Sequence, residues 1–209
     1  MRFDIVVHEQ SLICRGIFFG KRGPPVATGL WPVKRKVSWL SYKLDGPQGR
    51  GYNVPMNEPL PDEYFMREAL RQGQKAYAVD EVPVGAVVVR EGKIIGRAHN
   101  QVELLKDATA HAEMLALTQA EAAVGDWRLM DCDLYVTKEP CAMCAGALVH
   151  TRIRRIVFGC GDALAGAAGS MMNLLQMPAL NHRCEITSGV LESECAAILQ
   201  DFFRGRRKA

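Results

Sequence analysis

Thr109-Ala110-His111-Ala112-Glu113 and Pro140-Cys141-Ala142-Met143-Cys144, with Cys141 falling 28 residues after Glu113, are the stretches around which the 209-residue chain reads most clearly. A hydrolytic zinc site takes three protein ligands of the His and Cys type and leaves its fourth position to water. One imidazole and two thiols in these stretches meet that requirement. A Cys pair spaced by two residues at a helix start can put both sulfurs on one metal, and the helix N-terminus favours their thiolate forms. Pro140 suits such a start. Glu113 is the wrong group to close a structural metal site and the right one to move protons beside a metal-bound water.

Each half alone is weak evidence. A His-x-Glu is most often a satisfied surface or core pair, and a Cys-x-x-Cys can be redox-active, structural or simply two buried thiols. Together and in this order, the His-x-Glu and the Pro-Cys-x-x-Cys form the signature of zinc-dependent nucleobase deaminases.

Outward from that pair, composition sets limits. A chain of 209 residues with 48% hydrophobic content can bury a full core, and it reads as one soluble globular domain plus an extension. The longest uncharged run, Ala163 to His182, is broken by glycines, Pro178, Ser170, Asn173 and Asn181, so no membrane span is expected. Seven cysteines, an odd number with two assigned to a metal, point away from a disulfide framework and towards a reducing compartment. Cys14, Cys132, Cys160, Cys184 and Cys195 read as packed thiols.

The net charge of +3 is unevenly spread, with 9 Lys and Arg against 4 Asp and Glu in residues 1–60, leaving 17 against 19 in the remainder. Two local clusters stand out, Arg152, Arg154 and Arg155 after the Cys pair, and Arg204, Arg206, Arg207 and Lys208 at the end. Either could follow a phosphate backbone or be a solvated face.

Residues 1–55 show short apolar runs broken by Gly and Arg, a Gly-Pro-rich stretch at Gly23-Pro24-Pro25, and no secretory or organelle signal. They read as a disordered extension or as upstream sequence before a true start at Met56. Residues 56–209 read as the zinc-dependent domain. There, Asp62 is expected to cap a helix to Ala78 with Met66, Leu70, Gly73 and Tyr77 on its apolar stripe. Val84 to Val89 and Ile94 to Ala98 form a hairpin across Glu91-Gly92. Helices are expected from Thr109 to Ala120, Cys141 to His150 and, in brief, Ser170 to Leu175. Strands are expected at Asp133 to Thr137, Ile153 to Gly159 and Cys184 to Thr187. A last helix places Leu191, Cys195, Ile198 and Phe202 on one face. This alternation predicts an α/β layered domain whose sheet is largely parallel after the hairpin, with both motif segments at helix N-termini near one sheet edge.

From about residue 61 to its end the chain resembles the bacterial tRNA-specific adenosine deaminases of the cytidine deaminase superfamily. The residues carrying the resemblance are Glu81 to Ala86, Ala98-His99-Asn100, Thr109 to Glu113, Leu134 to Thr137, Glu139 to Gly146, Gly166 to Ser170, Asn181-His182-Arg183 and Asp201-Phe202-Phe203. It implies a three-layer α/β/α fold around a five-stranded mixed sheet. It further implies a hydrolase that deaminates the wobble adenosine of a tRNA anticodon loop, chiefly of an arginine tRNA, to inosine. One zinc ion per subunit would sit on His111, Cys141 and Cys144. Glu113 would be the catalytic acid and base, taking the water proton, protonating N1 and passing a proton to departing ammonia. Asn100 would contact the flipped nucleoside, Ala112 the substrate, Asp162 a neighbouring loop nucleotide, and Phe203 with Arg206 and the other terminal arginines the anticodon loop. A cytoplasmic homodimer is implied too, with the Met171, Met172 and Met177 stretch either its surface or core. The pattern departs at Lys138, where the family is commonly apolar, and at Gly161 and Leu164-Ala165.

Two rivals share the zinc ligands. A deaminase of a free base or nucleotide, such as guanine, cytosine or a cytidine monophosphate, has no need of a basic, aromatic C-terminal helix. A non-catalytic, zinc-stabilised RNA-binding subunit has no need of a carboxylate beside an open metal position.

Overall fold

The computed structural model describes residues 59–207; what the sequence suggests of residues 1–55 and of a start at Met56 lies outside them. Pro61, extended at φ −68° and ψ 157°, leads into α1, Asp62–Ala78. Asp62 does not cap this helix. It sits in the first turn, and its carboxylate accepts hydrogen bonds from Tyr135 and Arg155 instead. The buried face is Phe65, Met66, Ala69, Gln72, Gly73 and Ala76, so the expected stripe is rotated: Tyr77 is 40% exposed.

The hairpin forms as expected. β1 (Gly85–Arg90) and β2 (Lys93–His99) pair antiparallel, and both turn residues, Glu91 and Gly92, have positive φ, as a type I′ connection demands. A one-turn helix not foreseen from the sequence, α2 (Val102–Leu105), follows. Then come α3 (Ala112–Val124), β3 (Cys132–Lys138), α4 (Ala142–His150), β4 (Arg155–Cys160), β5 (Glu185–Ser188) and α5 (Glu192–Arg206).

The sheet runs β2-β1-β3-β4-β5 and is mixed. β1 is antiparallel to β3 as well as to β2, so parallel pairing is confined to β3-β4-β5. Strand alternation splits the apolar residues between two faces. Ala86, Val88, Leu134, Val136 and Ile156 pack under α3 and α4, while Val87, Val89, Tyr135 and Val157 pack under α1 and α5. That is the three-layer α/β/α arrangement. Two strand glycines allow close approach: a Cβ at Gly96 would stand 2.5 Å from the Ala116 carbonyl of α3, and one at Gly159 would stand 2.3 Å from Cys195 Sγ of α5.

No helix forms between Ser170 and Leu175. Turns and isolated bridges, Cys141 with Gly166 and Ala168 with Asn173, occupy the segment instead. The Met171 and Met172 amides both donate to the Gly166 carbonyl and the Leu174 amide to that of Ala167, so the backbone donors pair across the segment rather than along a helix, while the buried Glu139 carboxylate accepts the Ala168 and Ser170 amides. Met171, Met172 and Met177 are exposed at 56%, 38% and 41%, not core. Cys132, Cys160, Cys184 and Cys195 are free and buried. No described helix is long and apolar enough to cross a membrane.

Candidate active site and metal centre

The register brings four chain segments to one edge of the sheet. Gly85 pairs with His99, Ala86 with Val136 and Lys138 with Cys160, so the start of β1, the end of β2 and the ends of β3 and β4 lie together. Glu81 to Val84, Asn100, and Glu139 to Cys141 therefore converge. His111 and Cys141 each occupy the extended position just before a helix, of α3 and α4, rather than its first turn.

At that edge His111, Cys141 and Cys144 present ligand atoms all within 4.8 Å of one another. His111 Nδ1 lies 3.7 Å from Cys141 Sγ and 3.5 Å from Cys144 Sγ. Ligands bound tetrahedrally at the usual zinc–sulfur length of about 2.3 Å and zinc–nitrogen length of about 2.0–2.1 Å stand about 3.6 Å apart. The donor set and its spacing fit zinc. Hydrogen bonds couple the three groups. Hydrogen bonds from Cys144 and His111 push the Cys141 thiol down to about 3, and its place before α4 favours the same thiolate. The Cys141 contact pushes Cys144 up and raises His111.

Glu113, in the first turn of α3, is 4% exposed, and burial raises its pKa. A carboxyl whose pKa is raised is a stronger base than a solvated one and so takes up a proton more readily.

His111, Glu113 and Cys141 open into a cavity of about 370 Å³, with Val82, Val84 and Asn100 among its walls. Phe203 and Arg206 of α5 line it from the opposite layer. The volume is at the small end of ligand pockets and suits one nucleoside better than a longer stretch of RNA. Arg206 is held there by the Asp80 carbonyl at 2.6 Å and carboxylate at 3.0 Å, with its guanidinium 4.7 Å from the Phe202 ring centre.

Asn100, Glu113, Phe203 and Arg206 are thus brought to one cavity with His111 and Cys141, whereas Ala112 is wholly buried and Asp162 lies outside the lining. Asp162 reaches the rim only through an ion pair with Lys138, which does line it. The arginines after α4 are engaged elsewhere. Arg154 makes two 2.8 Å bonds to Asp133, Arg155 pairs with Asp62, and Arg152 bonds the Asn181 carbonyl. His182 Nε2 donates to the Ile153 carbonyl at 2.7 Å, a structural contact.

Two buried carboxylates carry parts that the sequence reading did not assign. Glu139 accepts from the amides of Asp162, Ala168 and Ser170 and from the Ser170 hydroxyl; although burial opposes it, these bonds hold its carboxyl below the ordinary value. A Cβ at Gly166 would stand 2.3 Å from that carboxylate, so only glycine admits it there. Glu81 accepts from the Asn100 side chain and the Leu104 amide. No periodic pattern marks either residue; a glutamate beside Val82-Pro83-Val84 or Pro140 reads as surface until the fold buries it.

A model of the MafB19-like deaminase family matches residues 61–207. The tRNA-specific adenosine deaminase of Bacillus subtilis (strain 168) is 51% identical over 147 residues, 70% of this chain and 91% of that protein. A solved structure from biochemical and structural studies of A-to-I editing by tRNA:A34 deaminases at the wobble position of transfer RNA is 44% identical. It covers 65% of this chain and 99% of that one, with a TM-score of 0.63. A guanine deaminase from Nitrosomonas europaea is 26% identical over 70% of this chain and 88% of its own, with a TM-score of 0.60.

Proposed function

We propose, on the premise that this chain belongs to the MafB19-like deaminase family and to the tRNA-specific adenosine deaminases, that it hydrolyses the wobble adenosine of a tRNA anticodon loop to inosine and releases ammonia. The observation that carries the reading is the approach of His111 Nδ1 to both cysteine sulfurs beside buried Glu113, in a cavity that Phe203 and Arg206 also line.

One zinc ion per chain, bound by His111, Cys141 and Cys144, would supply the acidity that turns a water molecule into a nucleophile at a pKa of about 7. The chain's own residues do the rest. Glu113 takes the water proton and protonates N1 of the adenine, which makes C6 electrophilic. Once the C6–oxygen bond has formed, the same carboxyl takes the remaining proton from that oxygen and passes it to the amino nitrogen, so the C6–nitrogen bond breaks, ammonia leaves and the C6 carbonyl of inosine remains. Asn100 orients the nucleoside, with Ala112 contributing at the start of α3. Phe203, Arg206 and Asp162 meet the surrounding anticodon nucleotides. A loop adenosine enters without the unstacking cost of a few kcal/mol that a duplex base would incur.

The same reading includes an arginine tRNA as the chief substrate, a cytoplasmic setting, residues 56–209 as the catalytic domain and residues 1–55 as an extension to it. It also includes a homodimer, supported by the exposed Leu164, Met171, Met172 and Met177. Sedimentation of the purified chain tests the dimer.

The decisive assay incubates the zinc-loaded full chain with an anticodon stem-loop carrying adenosine at the wobble position, and in parallel with adenosine, guanine and cytidine, following products by mass. Inosine in the stem-loop alone is the expected result. The likeness to a guanine deaminase favours a second reading, a free-base enzyme, and conversion of guanine without conversion of RNA would establish it. Zinc retention with no product from any substrate would favour the RNA-binding subunit.

A further inference from the structure

Glu81 is 1% exposed and lines the cavity, yet proton transfer by Glu113 makes no use of it. Among the described residues it forms no ion pair with any Lys, Arg or His. A carboxylate buried without a countercharge is costly, and such groups persist where a site requires them. Its hydrogen bonds show what it holds. Glu81 Oε2 accepts from Asn100 Nδ2 at 2.9 Å, and Oε1 accepts from the Leu104 amide at 2.7 Å.

An ionised carboxylate can only accept, so its partner atom on Asn100 must be the amide nitrogen. The Asn100 side chain is thereby fixed in one of its two flip states, which ordinary packing distinguishes poorly because oxygen and nitrogen are nearly the same size. Its backbone is fixed too, the Asn100 amide donating to the Val84 carbonyl at 3.0 Å. With one Nδ2 hydrogen given to Glu81, Asn100 keeps Oδ1 as an acceptor and its second Nδ2 hydrogen as a donor for a ligand. The second bond, to Leu104, ties the same carboxylate to α2, whose Val102 and Glu103 also line the cavity.

We propose that Glu81 is a positioning residue for the deamination, setting the orientation of the Asn100 amide so that its oxygen and its remaining N–H meet the nucleoside. This rests on the deaminase reading above. Glu81→Gln is the informative change. It is nearly isosteric, but glutamine can turn either its oxygen or its nitrogen to Asn100, so the flip state is no longer imposed.

The experiment is a double-mutant cycle on the zinc-loaded full chain, comparing wild type, E81Q, N100A and the double variant for kcat/KM on the stem-loop, with zinc content and melting temperature measured alongside. E81Q is expected to lose roughly 10- to 100-fold, the range for removal of a hydrogen bond to a charged group. In the N100A background the same change should cost less than about twofold, because the residue it acts through is gone. Zinc content should stay at one per chain. Losses that multiply across the cycle, in step with melting temperature, would mean a merely structural carboxylate and overturn the proposal. Should E81Q not fold, E81D, which keeps the charge and acceptor on a shorter arm, takes its place in the cycle with the same two outcomes. An unaltered chain that leaves the stem-loop unconverted would overturn the deaminase reading, and this inference with it.

Discussion

Lys138 Nζ and the Asp162 carboxylate form an ion pair at the cavity rim, joining the end of β3 to the loop after β4. Burial raises the Asp162 pKa, but the hydrogen bond from Lys138 and those from the Leu164 and Ala165 amides outweigh it and hold the carboxyl below its ordinary value. A carboxyl depressed in the folded state stabilises above its unfolded pKa, and that stability is lost as pH falls through the folded value. Lys138→Leu, which installs the apolar character common in the family, should therefore cost about 1 kcal/mol at pH 7, a figure kept small because Lys138 is 35% exposed. The gap from wild type should close as Asp162 protonates. Urea unfolding at several pH values between 7 and 3 measures it; a gap that does not change with pH would remove Asp162 from the account.

Glu113→Ala should lower single-turnover conversion of the stem-loop by at least 10² to 10⁴, the usual worth of a positioned acid or base, because the same carboxyl acts more than once per turnover. Zinc content and RNA affinity should hold, since Glu113 is not among the three grouped ligand atoms. Activity within tenfold of wild type would take Glu113 out of the proton-transfer role.

What could be read from the sequence divides along physical lines. The clustering of His111 with Cys141 and Cys144 was legible because helix starts fix short spacings: Cys141 precedes α4 and Cys144 lies within its first turn, so their separation is set locally. The hairpin was legible because Glu91-Gly92 supplies the two positive φ values its turn requires. The α1 face was misread because buried Gln72 and Gly73 do not advertise themselves as core, while Tyr77 looks apolar yet is exposed and bonds Asp201. Residues 161–184 were the least readable. Their order comes from the Glu139 carboxylate, which lies more than twenty residues earlier in the chain, and no local propensity carries that information.

Removing zinc with a chelator should lower the melting temperature, because an ion bound to the folded site and not to the unfolded chain stabilises by mass action. Among the cysteines of the described residues, the chelated protein should also show one fast thiol. Cys141, pushed down to about 3, is ionised at neutral pH, whereas burial pushes Cys132 up to about 11 and Cys184 and Cys195 up to about 12. Iodoacetamide followed by peptide mass mapping should find Cys141 alkylated first among these four, and protected when zinc is restored. Equal labelling with and without zinc would separate Cys141 from the metal.

The two arginine clusters make opposite predictions for RNA binding. Arg154 is committed to Asp133 by a two-bond fork and Arg155 to Asp62, so neither is available to a phosphate without breaking a contact that supports the fold. Arg204 and Arg207 are exposed near the end of α5, the helix that brings Phe203 and Arg206 to the cavity. Removing one cation that neutralises a phosphate should flatten the log–log dependence of RNA affinity on salt by about 0.7 to 0.9. Arg204→Ala and Arg207→Ala should each approach that change, and deletion of residues 205–209 should exceed either. Arg206→Ala should change the slope less, because its guanidinium already pairs with Asp80 and RNA would have to displace that partner. Arg154→Ala should leave the slope unaltered. Filter binding of the stem-loop between 50 and 200 mM salt provides the comparison. A slope that responds to Arg154 and not to Arg204 or Arg207 would move the RNA path from α5 to the segment after α4.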